Sequence, residues 1–294
     1  ETAAKDPKSK MGVAYATYLD EAAIEKKGIT PIQPILKQVR AVKTHKQFEA
    51  LLPKLAPKGV GALFGGFVGQ DDKNPDAYIF QIFQGGTGLP DRDMYLVDNP
   101  KFEEIRTAYK SYLAKMLTHA GEKNAEARAN AIFETEKKIA DVQWTREESS
   151  DATKVYNKLT LGELDALAPQ IGMSAMLKKI SPKIGDVLVA QPSAVAATAK
   201  IFAETDIGVF KDQMMVGALA NYSGALPKAI DDTVFAFYGT TLGGTPQQQA
   251  RWKRGIGFVE GALTDEIGKA YAAKYFPPET KAAANELVRN VVAA

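Results

Sequence analysis

The sequence predicts a mainly α-helical fold interrupted by one β-hairpin or small sheet around residues 60–84. Three observations carry this. Apolar residues recur at helical spacing through most of the chain, and the one departure is a glycine- and aromatic-rich stretch, Gly59 to Gly86, built around a turn sequence. The third is composition: 294 residues with 45% hydrophobic and 24% charged content can bury a large core, with no cysteine to staple it.

Met11, Tyr15, Tyr18, Leu19 and Ala22 share one helical face and stop before Lys27-Gly28, which predicts a helix over 10–27 with a glycine end. Pro31 to Arg40 and Lys46 to Leu52 read as two short helices, the second leading into Pro53 and Pro57. GVGALFGGFVGQ and AYIFQIFQGG then flank DDKNPD as two strands around a turn. Tyr78, Ile79, Phe80, Ile82 and Phe83 put bulk on both faces of the second strand, so other elements should cover both sides.

Phe102, Ile105, Tyr109, Tyr112, Leu113 and Met116 keep a helical register that ends at Gly121. A further helix starts near Asn124, carries Ile132, Phe133, Ile139 and Ala140 on one face and extends as far as Trp144. Thr160 with Glu163 is a capping box for a shorter one. Pro182 to Pro192 is a break holding one extended segment, GDVLVAQ, and helix resumes at Ser193. Thr245-Pro246 with Gln248 reads as the start of a long helix bearing Trp252, Ile256, Val259, Leu263 and Ile267. The proline pair of YFPPETK separates it from a last helix with Leu287, Val288, Val291 and Val292.

Composition narrows function before any motif does. Thirty-seven basic against 35 acidic residues leave a net charge of +2, too little to draw nucleic acid or an anionic membrane. The missing cysteine excludes disulfides, thiolate metal sites and thiol nucleophiles. No apolar run reaches the roughly 20 residues needed to span a bilayer.

Zinc hydrolysis needs two imidazoles a helical turn apart, a third ligand and a base. The chain has only His45 and His119, and neither belongs to a His-Glu-x-x-His string. His119 reads as a C-terminal helix residue favoured by the helix dipole, and His45 as a residue of a solvated loop or helix start. No G-x-S-x-G string is present. The glycine clusters Gly65-Gly66-Gly69 and Gly85-Gly86-Gly88 match no phosphate-binding pattern and read as close backbone packing. Acidic pairs stand at Asp71-Asp72, Asp91-Asp93, Glu147-Glu148 and Asp231-Asp232. DDKNPD lacks the glycine and terminal glutamate of a calcium loop, and Asp91-Arg92-Asp93 reads as a turn whose arginine is held by carboxylates. No catalytic, cofactor-binding or metal-ligating residue is assigned in this chain.

Several strings are specific: YLDEAAIEKKGITPIQPIL, LFGGFVGQDDKNPDAYIFQIFQGGTGLPDRDMYL, VYNKLTLGEL, FYGTTLGGTPQQQARWKR and VEGALTDEIGKAYAAKYFPPETKAAANELV. In order, and along nearly the whole chain, they resemble the amino-terminal part of the neprilysin, endothelin-converting enzyme and bacterial oligoendopeptidase O family of zinc metalloendopeptidases. The resemblance implies a multi-helix lobe of a bilobed peptidase whose two lobes enclose a cavity that admits peptides. It also implies that Zn2+ is bound in the assembled enzyme by a carboxy-terminal part carrying HExxH and a later ExxxD, beyond Ala294. The family's earliest segment is expected upstream of Glu1. The lobe is then expected to comprise a helical start at 1–58, a hairpin and turn at 59–98 facing the catalytic lobe, and helices at 99–294. The expected partners are the catalytic fragment or domain of the same enzyme and peptide substrates, with no nucleic acid and no membrane span. The absence of cysteine resembles bacterial members, and the expected location is extracytoplasmic, in the bacterial periplasm or secreted, with the cytoplasm as the alternative. The alternative is a stand-alone helical protein-binding module derived from that lobe.

Overall fold

The computed structural model describes residues 9–294, so the first eight residues of the predicted helical start lie outside the described residues. The chain divides into two compact units, one formed by residues up to 26 with 247–294, the other by residues 27–246. The described regular structure is sixteen α-helices, four 3-10 or π stretches and one four-stranded sheet: the mainly helical class is as the sequence predicts, and the predicted hairpin is extended by two short strands from residues 158–159 and 187–189.

The first unit opens with helices α1 (Lys10–Leu19) and α2 (Glu21–Lys27) where the sequence predicts one. The break falls at Asp20. Its backbone leaves the helical region (φ −78°, ψ 75°), and its Oδ1 accepts a hydrogen bond from Ala23 N at 3.0 Å. Aspartate favours such capping over a helix interior because its short carboxylate competes for backbone amides.

The second unit begins with α3 (Gln33–Ala41) and α4 (His45–Leu55), the latter capped by Thr44 and running through Pro53. Strands β1 (Phe64–Asp71) and β2 (Asn74–Gln84) form the predicted hairpin, antiparallel from Phe64↔Gln84 to Gln70↔Tyr78, with a bulge at Gln70/Asp71. A short helix α5 (Asp93–Leu96) precedes the long pair α6 (Pro100–His119) and α7 (Ala125–Val142). Then come α8 (Arg146–Ser149), β3 (Lys158–Leu159), α9 (Leu161–Leu167), α10 (Met173–Ile180) and β4 (Val187–Val189). Thr160 and Glu163 form both arms of the capping box on α9, at 3.2 and 2.8 Å. The sheet order is β1-β2-β4-β3, with β4 parallel to β2 over Phe80–Ile82 only. Beyond that contact the hairpin is a bare two-stranded ribbon. Tyr78 is therefore 75% exposed, against the expectation that both faces of β2 are covered, while Ile79 and Ile82 are buried.

Helices α11 (Pro192–Glu204), α12 (Ile207–Asn221) and α13 (Lys228–Val234) complete the core of this unit. Its centre is built from Tyr109, Leu113 and Met116 of α6, Ile132, Phe133 and Ile139 of α7, and Phe210 and Met214 of α12, all buried. Arg128 of α7 binds Asp212 of α12 and Glu122, and Arg40 of α3 joins them through Glu122 at 2.8 Å. Helix α13 passes without interruption into a π-helical stretch, Phe235–Leu242. Phe237 of that stretch packs against Tyr109 and Tyr112, with ring centroids 5.2 and 5.1 Å away.

The chain then returns to the first unit. The helix predicted from Thr245 starts instead at Arg251, because Thr245 serves the π-helical stretch: its N–H donates to Gly239 O and its carbonyl accepts from Thr240 Oγ1. It is also two helices, α14 (Arg251–Ala262) and α15 (Thr264–Tyr275), separated at Leu263 (φ −137°, ψ 43°). Three glycines at 255, 257 and 261 make α14 intrinsically weak, and Thr264 Oγ1 bonds back to Glu260 O at 2.7 Å. Gly255 seats α14 on α1: a Cβ there would lie 3.0 Å from the Tyr15 ring. Helix α16 (Pro278–Ala293) is last, and its Leu287, Val288, Val291 and Val292 are exposed.

Candidate functional site

The residues that chemistry would need are scattered and already engaged. His45 is at a helix start, the first residue of α4, and is half-buried: its Nε2 lies 2.9 Å from Thr205 O and its ring meets Phe202 edge-on at 4.8 Å. His119 ends α6, with Nε2 3.2 Å from Thr233 Oγ1, and burial followed by the nearby Lys115 charge lowers its pKa. The acidic pairs do not converge. Glu148 completes a capping box on Thr145, Asp91 Oδ1 accepts from Asp93 N, and Asp232 pairs with Lys228. Arg92 was expected to be held by carboxylates. Its guanidinium instead donates to Ala140 O at 3.0 Å and Asp141 O at 3.3 Å, carbonyls of the last turn of α7, of which Ala140 O also accepts from Gln143 N, while Asp93 stands off at 3.8 Å. Among the described residues no group of three or more His, Cys, Asp or Glu side chains could hold a metal ion.

The polar centre of the second unit is a residue the sequence reading passed over. Glu136 of α7 is 1% exposed and accepts from Tyr95 Oη (2.7 Å), Tyr109 Oη (2.9 Å) and Gln213 Nε2 (2.8 Å). Tyr95 Oη in turn accepts from Gly88 N and Leu89 N at 3.1 and 2.8 Å, and Gln213 Nε2 also donates to Gly86 O at 2.8 Å. One carboxyl thus pins the Gly86–Leu89 turn onto α6, α7 and α12. All three of its neighbours donate, which suits an acceptor-only carboxylate. Burial nevertheless raises the Glu136 pKa against the pull of these donors. Burial likewise pushes the Tyr95 and Tyr109 phenols far up, so they stay protonated and keep donating, and Tyr238 is pushed up to about 12. A cavity of about 300 Å³ opens above this centre, lined among others by Gly86, Gly88, Tyr112, Glu136 and Tyr238. Gly88 must be glycine: a Cβ would lie 1.9 Å from Tyr109 Oη. The signal available in the sequence was a glutamate four residues after Ile132 and four before Ala140, in the middle of an apolar face.

The hairpin is anchored separately. Asp71, at the end of β1, is 1% exposed and accepts from Tyr156 Oη (2.7 Å), Lys158 Nζ (3.0 Å) and Lys73 N (3.0 Å). These hydrogen bonds, the tyrosine's first, hold its pKa down at about 2. So the DDKNPD turn is a structural turn with one buried carboxylate. Beyond it Phe67, Val68 and Tyr78 are more than half exposed.

With the fold and these centres established, comparison with known proteins is decisive. Residues 1–294 match the sequence model described as Peptidase family M13, its amino-terminal region. The chain belongs to peptidase family M13. This M13 chain is 24% identical to endothelin-converting enzyme 1 of Rattus norvegicus over 98% of its length and 40% of the relative's. It is 25% identical to neprilysin of Oryctolagus cuniculus over 96% of its length and 42% of the relative's. The zinc metalloprotease Zmp1 of Mycobacterium tuberculosis superposes with a TM-score of 0.87 at 29% identity, covering 95% of this chain and 44% of that one. The M13 chain therefore spans about two-fifths of the relatives it matches. Zinc does not fit the residues of this stretch: its two imidazoles sit on different helices, each within hydrogen-bond reach of a threonine, and among the described residues no three ligating side chains come together.

Proposed function

We propose that this chain is the non-catalytic amino-terminal portion of a zinc metalloendopeptidase, the lobe that encloses the cavity where peptides are cleaved. The observation that carries this is the combination of a family match over the full 294 residues with side chains that do not fit the metal. Peptide hydrolysis, zinc binding and the groups that act on the scissile bond then belong to a carboxy-terminal part of the same enzyme, its principal partner. The hairpin and turn within residues 59–98 are the part we assign to face it. The exposed Phe67, Val68 and Tyr78 support that assignment, because apolar groups on a bare ribbon call for a cover. Among the described residues no helix is long and apolar enough to cross a membrane. The absence of cysteine, in contrast with disulfide-rich animal members, supports a bacterial enzyme, and its place outside the cytoplasm rests on the family resemblance alone.

The test separates the chain from the longer enzyme. The 294-residue chain should hold no stoichiometric zinc by atomic emission and should not cleave a quenched fluorescent peptide. The same chain continued through an HExxH segment should do both, and a chelator should abolish the cleavage. Cleavage by the 294 residues alone, or chelator-resistant cleavage by the longer protein, refutes the proposal.

A further inference from the structure

Strand β1 is the outer strand of the sheet, so among the described residues the N–H and C=O groups on its outer side have no ladder partner. Edge strands are ordinarily blunted by a lysine, a proline or a bulge in mid-strand. From Phe64 to Gln70 this one has no charge and no proline, and its bulge comes only at the far end, at Gln70/Asp71. Glycines at 65, 66 and 69 leave half of the first six positions without a side chain to obstruct an approaching backbone.

Beside this edge lies an apolar groove of about 320 Å³, at the lower end of ligand-pocket sizes. Phe64 and Gly66 of β1 and Phe80 and Ile82 of β2 share one face of the sheet by the alternation of the register, and all four line the groove. Met176 and Ile180 of α10 stand in the opposite wall. No lining residue carries a charge, β4 contributes none, and Leu52, Pro53, Ala56 and Pro57 complete the wall that α10 begins.

We propose that the outer edge of β1 and this groove form a docking site for an extended, uncharged peptide with bulky apolar side chains at alternate positions. Its main chain pairs with β1, and one or two of its side chains enter the groove between the sheet and α10. A free main-chain edge selects an extended backbone, and the uncharged walls select apolar side chains. A second copy of β1 would be a poorer occupant, since half the positions it offers are glycine. The proposal rests on the preceding reading only in that peptides are what this protein handles, and it concerns the Phe64 end of the β1 edge, not the hairpin tip that bears Phe67, Val68 and Tyr78.

The experiment uses the 294-residue chain and a labelled, end-capped heptapeptide alternating leucine and threonine, read by fluorescence anisotropy. Two further probes carry N-methyl groups on either all leucine or all threonine amides. Edge pairing predicts saturable binding that one methylated isomer loses by about tenfold or more while the other keeps it, since only alternate amides face β1. Ile180→Glu, at a position 45% exposed and so tolerant of charge, should weaken the parent probe about tenfold at unchanged folding stability. No saturable binding up to about 1 mM, or equal binding of both methylated isomers, overturns the proposal. So does a dimer in sedimentation that Ile180→Glu abolishes and the peptide does not displace, which would make a second copy the occupant. The readout needs no turnover, so its failure leaves the peptidase assignment standing, and an inactive longer enzyme leaves this site standing.

Discussion

Substituting Gly88 by alanine tests whether the Glu136 centre is as tight as its geometry implies. A Cβ at residue 88 would sit 1.9 Å from Tyr109 Oη and 2.9 Å from Tyr109 Cζ, so the hydroxyl must retreat by about 1 Å or more before the contact becomes tolerable. Tyr109 is 2% exposed and has nowhere to go without losing its 2.9 Å hydrogen bond to Glu136. Losing a buried hydrogen bond to a carboxylate costs about 1.5–3 kcal/mol, and overpacking adds about 1–3 kcal/mol, so Gly88→Ala should destabilise by about 3–5 kcal/mol. In a Tyr109→Phe background the hydroxyl is gone and only the 2.9 Å ring contact remains, so the same substitution should cost about 1 kcal/mol. The coupling energy of the cycle is then about 2 kcal/mol or more, measurable as midpoint shifts in urea at constant m. Equal costs of Gly88→Ala in the two backgrounds would refute the account of how this turn is held.

Three further outcomes follow from the same structure. The Glu136 pKa is raised in the fold, so this group's stabilising contribution is full below the unfolded value of 4.5 and declines as pH rises through the folded pKa; Glu136→Gln cannot titrate, so wild type should lose stability relative to it as pH climbs above 4.5, and a pH-independent difference between the two would contradict the burial. Asp71 behaves oppositely: its pKa falls from 3.8 to about 2, so its contribution is present above 3.8, and the melting-temperature gap between wild type and Asp71→Asn should close as pH falls from 3.8 towards 2. Thr160→Ala removes the cap of α9 and should cost about 1 kcal/mol in chemical denaturation, with a cost near zero contradicting the capping box.

The parts of this fold that local physics determines were legible before any coordinates. The register of α6, the capping box at Thr160 and the hairpin around DDKNPD all depend on spacing and turn chemistry within about ten residues. What escaped depends on partners distant in the chain. Glu136 is bound by Tyr95, Tyr109 and Gln213, 27 to 77 residues away, and no periodicity announces that a glutamate on an apolar face will find three donors. Arg92 went to helix-end carbonyls 48 and 49 residues on because those groups outcompete the neighbouring Asp93 in a geometry that only the fold creates. The break at Leu263 was hidden by an apolar pattern that continues in phase across two helices.

The π-helical stretch from Phe235 to Leu242 has a bearing on how this chain can change length. A wide turn closed by i to i+5 bonds, as from Gly243 N to Tyr238 O, holds one residue more than an α-helical turn. Removing a single residue just ahead of Phe237 would let the segment relax into an α-helix continuous with α13. Residues between the deletion and the end of the stretch would turn by about 100° about the helix axis. Phe237 would swing off the Tyr109 and Tyr112 rings, and Tyr238 Oη would leave Gly88 O, now 3.1 Å away. The stretch works as a phase-setter: a deletion harmless in an exposed loop would here disengage an aromatic cluster from the turn that Glu136 holds.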